Sequence, residues 1–315
     1  MTSAVTLNLM GFFDEFSSAN SLPKVKTKAD MGDAQAQLKL GKRYYYGNEV
    51  KKDKSEALKW ILKSAEKSNP EAMRIVGLMN MRGEGTQSNF AVGLRWLESA
   101  YKASDPMAAY FIGLMYEDGQ GVDKDLKVAF SWYKKGADRA DDWSQYALGN
   151  LYQFGYEEDQ VDMKKAAKWY LLSAKLGNKF AQYQAGRLYT HGLGVDEDIP
   201  RAMRWYRQAA SQGVWLARNN LAWLLSTNSN DEIRNGKEAI QLLEGLEDQN
   251  LNKDEKATSL DTLAAAYAET GRFEDAVSAQ QRALNVVLEM NSDNERVNGF
   301  KKRIEIYRNG NAWRE

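Results

Sequence analysis

The residues that could do chemistry in this chain are few, and their spacing argues against an enzyme. His191 is the sole imidazole and there is no cysteine, so disulfides, thiolate zinc sites and a Cys–His nucleophile are excluded. The positions corresponding to His191 in the other copies of the pattern set out below are Tyr46, Arg82, Asp118 and Phe154, so no side-chain class is required there. A lone histidine without a positioned nucleophile does not make a triad. Loop carboxylates are plentiful but lack the D-x-D-x-D-G ladder of a calcium loop. Gly119-Gln120-Gly121 and Gly192-Leu193-Gly194 have no preceding strand, which a phosphate-cradling glycine loop needs. A hydrolase or carbohydrate-acting enzyme, the competing reading, would need a convergent pair of acids, and the acids here fall at loop tips. The residues therefore specify a non-catalytic protein with no cofactor and no metal.

Any site must be positioned by a repeat. Gly41, Gly77, Gly113, Gly149 and Gly186 recur at steps of 36, 36, 36 and 37 residues. Trp60, Trp96, Trp132, Trp169 and Trp205 step by 36, 36, 37 and 36, and the loop glycines Gly47, Gly83, Gly119, Gly155 and Gly192 keep the same period. Each copy reads as two short helices joined by a glycine-bearing loop. Ala36, Ala72, Ala108, Ser144, Ala181 and Ala217 sit five residues before the first-helix anchor. With the anchor glycines they form a line of small side chains that lets the helices of a hairpin approach closely. A glycine inside a helix costs about 1 kcal/mol relative to alanine, so its repeated use implies a packing reason. The second-helix tryptophan is expected to supply the large apolar surface, followed by a second aromatic at Tyr133, Tyr170 and Tyr206. One pair cannot bury enough apolar area alone, so neighbours must stack. The expected fold class is all-α, a right-handed α/α superhelical solenoid of antiparallel helix pairs.

The pattern AQY-x-x-G-x-L-Y-x-x-G-x-GV-x-x-D…A-x-x-WY-x-x-AA resembles the Sel1-like repeat, a relative of the tetratricopeptide repeat with a longer loop. Phe180–Ala210 matches nearly throughout and Ala108–Ala137 well; the copies near Gly32, Asn69 and Asp142 are looser. The resemblance implies a superhelix used for protein–protein contact. By analogy with tetratricopeptide grooves, first-helix side chains just before and after the anchor glycine face the concave side. Those positions hold Tyr110, Trp143, Tyr146, Asn150, Arg187, Asn219 and Trp223. Aromatic and arginine side chains are what binding hot spots use. Tyr110, Tyr146 and Tyr183 occupy one repeat position and serve equally well as core, whereas Trp143, Arg187 and Trp223 are not demanded by the pattern.

A second candidate surface is the loop edge, where Glu157, Glu158, Asp159, Asp196, Glu197 and Asp198 gather, with Lys164, Lys165, Lys168, Arg201, Arg204 and Arg207 on the second helices. These acids either cap helices or steer a basic partner. Forty-three basic and 43 acidic residues cancel, which argues against general nucleic-acid binding. No run approaches the ~20 apolar residues of a membrane span.

The domain plan runs in five parts. Residues 1–30 form an N-terminal segment with a short amphipathic helix around Leu9, Phe12, Phe13 and Phe16, expected either to cap the first repeat or to dock elsewhere or on a membrane surface, tethered by a loose, basic Ser21–Lys28 link. Residues 31–212 hold five repeats, and 213–250 a linking hairpin. Residues 251–290 resemble a tetratricopeptide repeat with its turn at Thr270-Gly271-Arg272, and 291–315 form a capping helix and tail ending near Trp313. The expected function is a scaffold or adaptor that binds a protein or peptide, or a regulator or assembly factor of a secretion, envelope or signalling complex. The chain is expected to be a monomer or weak homo-oligomer. Its expected address is cytoplasmic, or exported or periplasmic if a signal has been removed.

Overall fold

The computed structural model describes residues 21–156, 161–245 and 251–315. Among them are sixteen helices and no strand. A single helix, α1 (Leu22–Asp30), precedes the hairpins α2 (Ala34–Tyr46) with α3 (Lys54–Glu66), α4 (Pro70–Arg82) with α5 (Phe90–Lys102), and α6 (Met107–Asp118) with α7 (Leu126–Ala137). Then come α8 (Asp142–Phe154) with α9 (Met163–Lys175), α10 (Lys179–His191) with α11 (Ile199–Ser211), and α12 (Trp215–Thr227) with α13 (Gly236–Leu243). The last pair is α14 (Lys253–Glu269) with α15 (Phe273–Glu289), closed by α16 (Asn294–Arg308). The chain forms two compact units, one ending at Ser144 and one beginning at Gln145, with the division inside α8.

Helix starts keep the period as strictly as the core does. First helices open on Asp33, Asn69, Asp105, Asp141 and Asn178, whose side chains accept the backbone N–H of Ala36, Ala72, Met107, Ser144 and Ala181 at 2.7–3.0 Å. Second helices open on Asp53, Asn89, Asp125, Asp162 and Asp198, which accept from Glu56, Val92, Val128, Lys165 and Arg201 at 2.8–3.0 Å. Short polar side chains at these positions satisfy first-turn donors that the helix itself leaves open. The register lapses at α12, which starts on Val214 with no side-chain cap.

The tryptophans turn out not to be the central packing residues. All five are only partly buried, and the residue after each is the one sealed inside: Ile61, Leu97, Tyr133, Tyr170 and Tyr206 are at most 1 % exposed. Each packs into the gap left by the anchor glycine. A Cβ on Gly186 would stand 2.4 Å from the Tyr206 ring, and one on Gly113 2.5 Å from that of Tyr133. Consecutive helix residues point about 100° apart, so of two adjacent aromatics only one can face the hairpin partner. The tryptophan faces sideways instead, as Trp132 does against Tyr101 at 5.5 Å.

The second glycine of the G-x-G loops also has a packing role. Gly194 has φ +73°, and a Cβ there would lie 2.1 Å from the Met163 carbonyl oxygen at the start of α9. These loop glycines let successive hairpins touch. At the matching place in the first hairpin, Glu49 takes the same left-handed backbone and bonds Arg43 instead.

Two further expectations need correcting or placing. The Ser21–Lys28 stretch is not a loose link but most of α1, whose Val25 and Ala29 bury against Ala36 and Leu40. The helix expected around Leu9–Phe16 lies outside the described residues. At the other end the tail packs back: Trp313 joins Tyr307 and Tyr267, and the Glu315 N–H donates to the Thr227 carbonyl at 2.9 Å.

Candidate partner-binding face

Residues three before and one after the anchor glycine are four apart, so they share one side of a first helix. In the first unit this side is largely consumed by packing. Tyr110 is 5 % exposed, its ring 5.6 Å from Trp143 and 5.9 Å from Tyr133. Trp143 is half-buried against it. The Tyr133 hydroxyl donates to Glu117, whose own carboxyl is pushed up by burial against the pull of that bond.

The second unit keeps a half-exposed polar and aromatic cluster on α8 to α12. The ring of Tyr146 lies 5.7 Å from Tyr170 and 6.2 Å from Phe180, and its hydroxyl bonds Asn150 and Gln184. The Tyr170 hydroxyl reaches the Asn150 and Gln153 side-chain oxygens, each at 2.7 Å. Tyr183 lies 6.1 Å from Tyr206, and the Asn220 amide donates to the Tyr206 hydroxyl at 3.4 Å. Arg187 sits among these rings and donates to Gln184 Oε1 at 3.2 Å. Burial pushes the Tyr170, Tyr183 and Tyr206 phenols up, and the Arg187 charge partly opposes that in each.

Of the residues nominated from sequence, Tyr146, Asn150 and Arg187 therefore meet in one cluster. Asn219 is buried at 4 % exposure, its Oδ1 without a hydrogen-bond partner. Trp223 is half-buried, and its Nε1 donates to Glu315 Oε2 at 2.7 Å. Tyr170, Gln184 and Asn220 also belong to the cluster but were not nominated. Tyr183 shared a repeat position with Tyr146, which was the available signal. Gln184 and Asn220 occupy no position that the pattern marks.

At the loop edge, Glu157, Glu158 and Asp159 lie outside the described residues. Asp198 caps α11 and pairs with Arg201 at 3.4 Å, while Asp196 and Glu197 are exposed beside it. Arg201 turns to the Tyr189 hydroxyl at 3.2 Å. Lys165 pairs with Asp162 and Arg207 with Glu238.

Asp141 stands apart among the caps. Its counterpart Asp105 is held by Arg74 at 2.8 Å, but Tyr110 occupies the place of Arg74 one hairpin on. Burial pushes the Asp141 carboxyl up to about 6, opposed by the hydrogen bond from the Ser144 N–H and reinforced by Asp142 and Asp105.

Stacked helix hairpins of this kind define a helical-repeat protein. The Sel1 repeat model matches residues 34–69, 70–105, 106–141, 144–178 and 179–214, more than half of the sequence, and the chain belongs to the Sel1 repeat family. Proteins of this family are in general protein-interaction scaffolds and generally non-catalytic.

Among solved structures, a Sel1 repeat protein from Oxalobacter formigenes is 28 % identical with a TM-score of 0.60, covering 67 % of this chain and 86 % of that one. A protective antigen of uropathogenic Escherichia coli, c5321, is 26 % identical with a TM-score of 0.61, covering 90 % of this chain and 63 % of that one. The secretory immunoglobulin A-binding protein EsiB of E. coli is 49 % identical over 41 residues, 13 % of this chain and 8 % of its own length. HRD3A of Arabidopsis thaliana, an ERAD-associated E3 ubiquitin-protein ligase component, is 37 % identical over 59 residues, 18 % of this chain and 9 % of its own. The chain thus matches under a tenth of the length of these curated relatives. No helix among the described residues is long and apolar enough to cross a membrane.

Proposed function

We propose that this chain is a non-catalytic scaffold that binds a protein or peptide partner on the first-helix face of its second unit. The carrying observation is the cluster of Tyr146, Asn150, Tyr183 and Arg187. Aromatic, amide and guanidinium groups stand there half-exposed, and the position after the anchor glycine, filled by Asn150 and Arg187, has no fixed side chain from copy to copy. Arginine and tyrosine give large, rigid contacts when a partner covers them. Two relatives support binding as the common theme: one is named for binding secretory immunoglobulin A, the other as a component of a ligase complex.

Affinity capture with the full chain, comparing wild type with a Tyr146→Ala/Arg187→Ala variant of unchanged helicity, tests the face. A protein retained by wild type and lost by the variant supports it. Equal retention by both moves the contact elsewhere.

A further inference from the structure

Arg187 is an exception to how this chain treats its arginines. Arg43, Arg74, Arg234, Arg296 and Arg303 are half-buried, and each pairs with a carboxylate: Glu49, Asp105, Glu269, Asp254 and Asp261. Arg218, also half-buried, donates to the Leu242 and Glu244 carbonyls at 2.9 and 3.0 Å. Arg187 has only the neutral Gln184 oxygen at 3.2 Å, and no carboxylate pairs with it among the described residues. A guanidinium carries five N–H donors in a planar fork, so most of its capacity is unspent. The tyrosine rings around it exclude part of the solvent, which strengthens any charge–charge contact made there.

The neighbouring register position shows which group fits such a face. Trp223 stands one period after Arg187, and its indole N–H is taken by the carboxylate of Glu315 at 2.7 Å. That acidic side chain arrives on the non-helical tail, where the Glu315 N–H also bonds the Thr227 carbonyl at 2.9 Å. The chain therefore already lays a non-helical segment with an acidic side chain against this face.

We infer that Arg187 is the anchor for a carboxylate side chain of an extended acidic peptide, with Tyr146 and Tyr183 flanking it. The fork takes both carboxylate oxygens. Gln184 stays bonded to the guanidinium and fixes its orientation, and the amides of Asn150 and Asn220 are placed to meet peptide backbone. The inference rests on the proposed binding face and adds the charge of its ligand.

The test pans a random-heptamer phage library against the full chain, then measures synthetic peptides by fluorescence polarisation. Arg187→Gln, Arg187→Lys and Tyr146→Ala/Tyr183→Ala variants are compared, each checked by circular dichroism. The expected result is enrichment of peptides with Asp or Glu at one position. Arg187→Gln should weaken binding at least tenfold and Arg187→Lys less. Exchanging that acid for its amide should cost wild type the same factor but cost Arg187→Gln nothing.

Enriched peptides that lack an acid and bind Arg187→Gln as well as wild type, yet depend on the tyrosines, overturn the carboxylate anchor while the face stands. Peptides indifferent to all three variants overturn the face itself. A library that yields no binder above a blank support also overturns the inference.

Discussion

Asp141 shows how one side chain can set the pH response of a hairpin. Its carboxyl titrates at about 6 in the folded chain against an ordinary 3.8. Between those values the folded state holds a proton that the unfolded state has released, so stability falls as pH rises through this window. The stabilising proton is fully present below about 4 and gone above about 6. Asp141→Asn removes the liability and keeps the cap, since Asn69 and Asn178 fill the same position in other copies. The variant should be more stable at pH 7 by at most about 3 kcal/mol, the gain shrinking to nothing near pH 4. Denaturant midpoints measured across that range check it; a constant difference would contradict the assignment. Arg187→Gln, by contrast, should leave the midpoint within about 0.5 kcal/mol, because it removes no carboxylate pair.

Within elements, the anchor glycine and its knob are one device. Gly186→Ala would gain about 1 kcal/mol of helix propensity, yet its methyl would enter the Tyr206 ring at 2.4 Å. Overpacking of that kind costs about 1–3 kcal/mol or more, so net destabilisation is expected. A double-mutant cycle with Tyr206→Ala should show favourable coupling, the second substitution costing less once the alanine is present. Caps offer a milder test: Asp198→Ala should cost about 1 kcal/mol by chemical denaturation and Asp198→Asn only a few tenths.

The same scale shows what the sequence could and could not convey. Period, loop glycines, small-residue lines and the α14–α15 turn at Gly271 were all legible, because stacked hairpins repeat their constraints. The choice between Trp205 and Tyr206 as the buried partner was not, since the period is identical for adjacent residues and only their angle on the helix decides. Helix α1 hid behind Lys24, Lys26 and Lys28; Leu22, Val25 and Ala29, at helical spacing, were its apolar signal. Of the binding candidates, Arg187 stood out with Trp143 and Trp223 because the pattern does not demand them, whereas Tyr146 shares with Tyr110 and Tyr183 a position that serves equally well as core. The Glu315 contact to Trp223 spans 92 residues and leaves no periodic trace.

For the whole chain, two compact units imply damage that stays local. Asp261 is buried, its carboxyl pushed up by desolvation and pulled back by Arg303 and Gln280. Arg303 bonds both of its oxygens, at 2.7 and 3.0 Å. Arg303→Ala leaves that carboxylate without its counter-charge, only the Gln280 amide still donating to it, a loss of about 3–5 kcal/mol for a broken buried pair. In an array held by nearest-neighbour contacts the loss should not spread evenly. Hydrogen exchange should quicken in α14–α16 while α2–α5 keep their wild-type protection. Uniform acceleration along the chain would instead mean that it unfolds as a single cooperative block.

The knob position carries a last implication, for how such a chain can grow by duplication. Ile61 and Leu97 need only apolar space, whereas Tyr133, Tyr170 and Tyr206 bring hydroxyls that are met by Glu117, by Asn150 and Gln153, and by Thr190 and Asn220. Asn220 belongs to the following hairpin and Thr190 to its own, so Tyr206 draws on both its own copy and its successor. Copies of equal length are thus not equal in recombination. The two aliphatic copies form one exchange class, while a tyrosine copy moved elsewhere must travel with the groups that answer its hydroxyl.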